Sequence, residues 1–99
     1  MRESYVYILT NKRNGTLYIG VTTDLYKRLQ QHRQGIYKGF SKKYSTYILI
    51  YYETYFDIHT AIQREKCIKK WNRKWKLRLI EEHNPTWSDL YTGFPPARE

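Results

Sequence analysis

The pattern of hydrophobic and polar positions near the start of the chain predicts a β-hairpin. Ser4 to Thr10 and Thr16 to Val21 are both rich in Tyr, Ile, Leu and Val, which are residue types that favour strands. Asn14 and Gly15 lie in the polar segment between them and accept the positive φ that a hairpin connection needs. The two segments are therefore predicted to form an antiparallel pair.

Two tyrosines of this hairpin are placed so that their phenols can meet on one surface. Side chains alternate between the faces of a strand, so Tyr5 and Tyr7 share one side of the first strand. Tyr18 and Gly20 share one side of the second strand for the same reason. The alternative is that these are ordinary strand-forming aromatics, in a chain that has 11 tyrosines among its 99 residues.

A helix with polar groups in its apolar stripe is predicted after the hairpin. Asp24 offers an N-cap, and Leu25 to Gln34 carries apolar residues at the helical spacing. Arg28 and His32 lie four residues apart in the same stripe as the leucines, whereas a purely structural helix places such groups outside. Both are candidates for chemistry, although a long arginine can also reach solvent from the edge of an apolar face.

A second helix has the same unusual feature. Asp57 can cap a helix that runs to about Asn72, and the apolar stripe of this helix contains the carboxylate of Glu65. A carboxylate in that position costs free energy unless it is paired or bound to a cation. An ordinary ion pair with Lys69, one turn further along, is the alternative.

A third strand and a third helix complete the predicted elements. Thr46 to Thr54 contains an uninterrupted apolar run, which predicts a strand that is central in the sheet and covered on both faces. The third helix is predicted over Lys74 to His83, and Asn84-Pro85 ends it because the residue before proline disfavours helical geometry. The predicted fold class is α/β, with a three-stranded antiparallel sheet of hairpin plus central third strand, flanked by about three helices.

The length and composition of the chain predict one cytoplasmic domain. We expect this domain to span residues 1–90 and residues 91–99 to form an irregular tail, since that tail contains one glycine and two prolines. Cys67 is the only cysteine, which excludes an intramolecular disulfide and suits a reducing compartment. The sequence shows no signal peptide and no apolar run of about 20 residues that would span a membrane.

The charge of the chain predicts a polyanionic partner. Eighteen Lys and Arg against nine Asp and Glu give a net charge of +9 and a pI of about 9.7. The basic residues concentrate in the loop Gly35 to Lys43 and in the stretch Arg64 to Arg78. The candidate nucleic-acid-binding residues are Lys38, Lys42, Lys43, Lys69, Lys70, Arg73 and Lys74. A solvated helix face and an exposed loop with incidental lysines are the alternatives.

The order and spacing of these residues resemble the GIY-YIG endonuclease superfamily, over nearly the whole chain from Tyr5 through Leu90. The matching positions are Tyr7, Tyr18-Ile19-Gly20, Arg28, His32, Glu65, and Asn84 before Pro85. Tyr5-Val6 stands where the family name has Gly-Ile, and Val21 stands where some members carry a lysine. The first difference keeps the strand, and the second removes a possible partner for a phenolate.

The resemblance implies hydrolysis of a phosphodiester bond in DNA at a single divalent metal site, with Mg²⁺ or Mn²⁺. Glu65 would then hold the metal, and Arg28 would contact phosphate. Tyr7 or Tyr18 would act as the general base or orient the water, and His32 would orient water, contact phosphate or assist proton transfer. Asn84 would be the family's late catalytic asparagine, unless it only terminates its helix. The sequence leaves open which tyrosine takes the proton.

Two other classes of function compete with this hypothesis. A basic domain with aromatic residues can bind nucleic acid without cutting it, and that binding would be sensitive to salt and indifferent to metal. The domain can also dock on an acidic protein. If the chain is a nuclease, a domain of this size implies limited specificity, so selection of DNA structure or a partner protein is expected to direct its activity.

Overall fold

A three-stranded antiparallel sheet and three α-helices make up the part of the chain that the computed structural model describes, residues 3–34 and 46–93. The elements are β1 (Ser4–Thr10), β2 (Leu17–Thr22), α1 (Leu25–Arg33), β3 (Ile48–Tyr55), α2 (Ile58–Lys70), α3 (Arg73–His83) and a short 3-10 helix (Leu90–Gly93). The predicted α/β class, the hairpin and the three helices are confirmed. No helix in these described ranges is long and apolar enough to cross a membrane.

The strand order β2-β1-β3 corrects the prediction that the third strand is central. β1 pairs with both neighbours and lies in the middle, while β3 is an edge strand. The first half of β3 is nevertheless buried, at Leu49, Ile50 and Tyr51. An apolar run indicates that both faces of a strand are covered, but it does not indicate how many hydrogen-bonded neighbours the strand has. The prediction was wrong because coverage was equated with a central position.

The hairpin connection uses the positive φ that the sequence predicted. Asn14 has φ 58°, and the Gly15 amide donates a hydrogen bond of 2.8 Å to the Lys12 carbonyl. The guanidinium of Arg73, at the start of α3, donates to the carbonyls of Asn14 and Gly15 at 2.8 and 2.7 Å. This turn is therefore fixed both by its own backbone and by a helix almost sixty residues away in the chain.

Helices cover both faces of the sheet. On one face, Val6 and Ile8 of β1 belong to a buried cluster with Ala61 and Ile68 of α2 and with Ile80 of α3. On the other face, Tyr7 and Leu9 of β1 pack against α1; the cluster there contains Tyr7, Leu9, Leu25, Leu29 and Leu49. Because side chains alternate along β1, α1 and α2 lie on opposite sides of the sheet.

The first two helices begin at the predicted caps, whereas the cap of the third was not predicted. The carboxylate of Asp24 accepts from the Lys27 amide, and that of Asp57 accepts from the amides of His59 and Thr60. The side chain of Asn72 caps α3 by accepting from the Trp75 amide at 2.9 Å. The second helix was predicted to reach Asn72 but ends at Lys70, because Asn72 is already the cap of the next helix.

The described part of the predicted C-terminal tail, residues 91–93, belongs to a short 3-10 helix. Leu90–Gly93 form the 3-10 helix. Asp89 fixes its start by accepting from the amides of Leu49 and Tyr91, at 3.2 and 3.0 Å. Asp89 also pairs with Arg33 of α1 at 2.8 Å. Glycine and proline content predicts breaks in the chain but cannot reveal such anchoring contacts. Residues 94–99 lie outside the described residues.

Candidate functional site

Tyr7, Tyr18 and His32 form one compact cluster on the face of the sheet that α1 covers. The ring centroids are 6.2 Å apart for the two tyrosines, 5.9 Å for Tyr7 and His32, and 5.0 Å for Tyr18 and His32. The Tyr7 hydroxyl lies 3.3 Å from Nε2 of His32, and the tautomer of the ring decides which group donates. The predicted meeting of the two phenols is therefore present, and an imidazole joins it.

Gly20 makes room for this cluster. It lies directly opposite Tyr7 in the β1–β2 pairing. A β-carbon at Gly20 would stand 2.5 Å from both Cζ and Oη of Tyr7, which is closer than real atoms approach. The glycine of the Tyr18-Ile19-Gly20 sequence thus allows the Tyr7 ring to lie across β2 toward His32.

His32 is buried, with an exposed fraction of 2%. Burial lowers the pKa of His32 to about 4, and the positive charge of Arg28 acts in the same direction. The imidazole is therefore neutral at pH 7, with one ring nitrogen that donates and one that accepts. Nε2 can accept the Tyr7 hydroxyl proton in a hydrogen bond when the ring proton is on Nδ1.

Arg28 lies one turn before His32 on α1 and is half-buried. Its effect on the pKa of His32 places a fixed positive charge within electrostatic range of the cluster. A guanidinium there has donors that suit a phosphate oxygen. The cluster and Arg28 together combine two phenols, a neutral imidazole and one permanent cation.

Glu65 lies on α2, which covers the opposite face of the sheet. Its side chain is only 12% exposed, and its carboxylate pairs with Lys69 at 2.7 Å. Lys69 lines a depression of about 260 Å³ together with Tyr18 and its two strand neighbours. Lys69, the partner of Glu65, therefore lies near β2, the edge strand that carries Tyr18.

The number and type of possible ligands around Glu65 indicate which metal ion this position would suit. No group of three or more His, Cys, Asp or Glu side chains comes together within the described residues. Zinc, which usually takes three or four protein ligands, does not fit such a site. Mg²⁺ does fit, because it is often held by one or two carboxylates and keeps water and substrate phosphate as its remaining ligands.

Asn84 caps the C-terminus of α3 and is buried. Its amide nitrogen donates to the carbonyls of Ile50 and Ser88, both at 2.9 Å, and its amide oxygen accepts from the Ser88 amide at 3.1 Å. These bonds tie the end of α3 to β3 and to the following turn. They support the interpretation as a helix terminator, and the catalytic role remains a prediction.

The candidate nucleic-acid-binding residues differ in their surroundings. Lys38, Lys42 and Lys43 lie outside the described residues. Lys70 and Lys74 are exposed. Lys69 is paired with Glu65, and Arg73 is hydrogen-bonded to the hairpin turn. A basic side chain with a partner inside the protein is less available to phosphate, so the stretch is not a uniform basic surface.

A polar network around Glu53 on β3 was not predicted from the sequence. Glu53 accepts from the hydroxyls of Tyr51 and Tyr55, at 2.5 and 2.7 Å, and its carboxylate binds Arg64 with contacts of 2.9 to 3.3 Å. Burial opposes the charge of Glu53, but these hydrogen bonds outweigh it and lower its pKa. The alternation Tyr51, Glu53, Tyr55, all on one face of a strand, was the available signal.

Comparison with known proteins identifies the family. The profile of the GIY-YIG catalytic domain matches residues 3–78. The chain belongs to the GIY-YIG family. The match includes the Tyr7 cluster, Arg28 and Glu65, and it ends before Asn84. The GIY-YIG domain carries a nuclease-type function in general, which entails binding to nucleic acid.

Relatives of this GIY-YIG protein are UPF0213 proteins, a small single-domain group. One from Staphylococcus haemolyticus is 37% identical over 82 residues, which cover 83% of this chain and 99% of the relative. One from Syntrophus aciditrophicus is 37% identical over 84 residues, which cover 84% of this chain and 95% of the relative. The solution NMR structure of a UPF0213 protein from Bacillus halodurans shares the fold, with a TM-score of 0.56 and 24% identity; the match covers 88% of this chain and 92% of that one.

Proposed function

We propose that this protein is a metal-dependent endonuclease that hydrolyses phosphodiester bonds in DNA. The observation that carries the proposal is the cluster of Tyr7, Tyr18 and His32 on one face of the sheet, within range of the charge of Arg28. A phenol, an imidazole and a guanidinium supply a proton acceptor, a group that orients it and a cation for phosphate.

The tyrosines need help to act as a base. A phenol with a pKa of about 10 is only about 0.1% ionised at pH 7. A nearby positive charge favours the phenolate, and Arg28 is the group of α1 that is placed to supply it. The neutral His32 would hold the Tyr7 hydroxyl through Nε2 and so fix the position of that ring. Both Tyr7 and Tyr18 are candidates to accept a proton from water.

Glu65 would hold a single Mg²⁺ or Mn²⁺. A bound divalent ion would stabilise negative charge on the phosphate and lower the pKa of a coordinated water. Lys69 occupies one carboxylate oxygen at 2.7 Å, so the ion would bind through the other oxygen or displace Lys69. The largely buried position of Glu65 favours exchange of one cation for another over an uncompensated carboxylate.

We further propose that selection of the target comes from DNA structure or from a protein partner. The described residues form one sheet with its flanking helices, and the family profile takes up most of them. Such a unit offers a small contact surface, which suits recognition of a branch or a single-stranded end better than recognition of a long sequence.

The test is a cleavage assay on labelled duplex, branched, damaged and single-stranded DNA, and on RNA, with Mg²⁺, Mn²⁺ or EDTA. The site variants Tyr18→Phe and Glu65→Gln are compared with Tyr26→Phe and Glu3→Gln, which change an exposed tyrosine of α1 and an exposed glutamate before β1. We expect metal-dependent cutting that falls at least about a hundredfold in the site variants and is unchanged in the controls.

Absence of cutting across the panel, or equal cutting by Glu65→Gln and the wild type, would overturn the proposal. The Glu65–Lys69 ion pair gives the competing function a physical basis, because a paired carboxylate needs no metal. Salt-sensitive binding that is indifferent to metal and to Glu65 would then identify a binding module on the same fold.

A further inference from the structure

We infer that the outer surface around Trp75 is a second nucleic-acid contact, which takes a single-stranded segment by stacking a base on the Trp75 indole. The Trp75 surface is formed by Lys66, Cys67, Lys70, Trp71, Trp75 and Arg78 of α2, α3 and their connection. The inference rests on binding to nucleic acid and does not require cleavage.

Trp75 is exposed although it is one of the largest apolar side chains of the protein. Its exposed fraction is 53%. Burial of such a side chain is normally favourable by a few kcal/mol, so the exposed indole can gain free energy when a ligand covers it. An indole offers a flat face on which a base can stack, and every nucleobase has such a face.

The neighbours of Trp75 hold this indole in a defined place. Trp71 is partly buried against the core and meets Trp75 edge-to-face, with centroids 6.1 Å apart and an interplanar angle of 80°. Arg64 lies over the Trp71 ring at 5.1 Å and is itself bound to Glu53. Trp71, which supports Trp75, is therefore anchored to β3. Because the indole is already held in place, less conformational entropy is lost when a base stacks on it.

Depressions flank the indole and carry positive charge. One has a volume of about 700 Å³ and is lined by Lys66, Cys67 and Lys70 together with both tryptophans. That volume lies within the range of roughly 300 to 1,000 Å³ found for ligand clefts. A smaller one of about 210 Å³ lies between the same tryptophans and Arg78, with Glu82 as an acidic member.

The combination of charge and aromatic surface selects the ligand. Between Ile58 and His83 the chain has eight Lys and Arg against three Glu. Lysines beside an exposed indole match a ligand with phosphates and aromatic rings. In duplex DNA the faces of the bases are already stacked on one another, whereas a single strand leaves them available. Single-stranded nucleic acid is therefore the occupant that fits.

The first experiment measures the anisotropy of a short fluorescent thymidine oligonucleotide in EDTA, so that cutting does not interfere. Trp75→Ala should weaken binding about tenfold, and Trp75→Tyr should restore most of the affinity because a phenol also stacks. Phe56→Ala is the matched control, since Phe56 is an exposed aromatic that lines neither of these depressions. Thermal unfolding of each variant checks that it is folded.

The second experiment uses Cys67, the exposed and only cysteine, as a reporter in the larger depression. The single-stranded oligonucleotide should slow alkylation of Cys67 in the wild type, and a duplex of the same length should slow it less. Anionic lipid vesicles are tested in the same way.

Each outcome separates this inference from the proposed endonuclease. Wild-type affinity in Trp75→Ala, or unchanged alkylation with oligonucleotide, would overturn the inference even if the protein cuts DNA. Protection by vesicles alone would overturn it in favour of a lipid surface. Binding that depends on Trp75, in a protein that cuts nothing, would support the inference while the endonuclease proposal fails.

Discussion

At Gly20, the absence of a side chain decides the position of Tyr7. The two residues lie opposite each other across β1 and β2, and an added β-carbon would stand 2.5 Å from the Tyr7 hydroxyl oxygen. Tyr7 is fully buried, so its ring has little space into which it can move. The positions of these two residues are therefore linked.

We predict that Gly20→Ala lowers the free energy of unfolding by about 1 to 3 kcal/mol, as overpacking of a core does. Urea denaturation measures the change. The same substitution in a Tyr7→Ala background should cost clearly less, because the colliding ring has been removed. Equal costs in the two backgrounds would show that Tyr7 is not the cause.

We predict that His32 makes stability depend on pH. The unfolded chain takes up a proton near the ordinary pKa of 6.5, but the folded chain does so only near 4. The unfolded state therefore binds more protons between these values, and stability falls as the pH is lowered from about 6.5 to about 4. The difference in pKa corresponds to about 3 kcal/mol.

His32→Gln removes this titration, so its free energy of unfolding should fall less over the same pH range. His59→Gln is the control, since His59 is exposed on α2. Denaturant titrations at several pH values compare the three proteins. A parallel loss of stability in wild type and His32→Gln would assign the effect to other groups.

At the scale of elements, Asn84 connects α3, β3 and the following turn. We predict that Asn84→Ala lowers the free energy of unfolding by about 2 to 4 kcal/mol, because it leaves buried backbone groups without partners. Asn72→Ala, at the start of the same helix, should cost only about 1 kcal/mol, as loss of an N-cap does. A variant of Asn84 as stable as the wild type would contradict this structural role.

Much of the element structure was predictable, because strand-forming runs, caps and turn residues act locally. The pairing of strands was not: the apolar run of β3 shows coverage on both faces, and only the coordinates show that β1 lies between its neighbours. Arg64 and Arg73 looked like members of one basic stretch. Their partners, Glu53 and the hairpin turn, are too distant in sequence for any local pattern to reveal.

The candidate site was predictable to a similar extent. Alternation along the hairpin predicted the meeting of Tyr7 and Tyr18, and helical spacing placed His32 on the inner face of α1. The position of Glu65 relative to the phenols depends on which face of the sheet α2 covers. Hydrophobic periodicity shows which side of a helix is buried, but it does not show which face of the sheet that helix covers. Sequence therefore predicts the groups of each element better than their distances across the sheet.

At the scale of the whole molecule, the net charge of +9 predicts that the affinity for DNA depends strongly on salt concentration. Each phosphate contact releases counterions, so affinity for DNA should fall linearly with salt on a logarithmic scale. Lys70→Gln should make the slope of log affinity against log salt concentration smaller by about one, which is the loss of one phosphate contact. Arg33→Gln is the control, because Arg33 is paired with Asp89 and should leave the slope unchanged. Anisotropy titrations at several salt concentrations measure both, and equal slopes in all three proteins would remove Lys70 from the interface.

The hydrogen bonds from Arg73 to the hairpin turn limit how the length of that turn can vary among related proteins. Tyr7 and Tyr18 meet only because the connection between their strands has its present length, and a slip of one residue would send Tyr18 to the other side of the sheet. Arg73 binds two successive carbonyls of that connection. The positive φ of Asn14 and the close packing at Gly15 restrict the residue types that this turn accepts, and insertions and deletions there should be absent from working relatives.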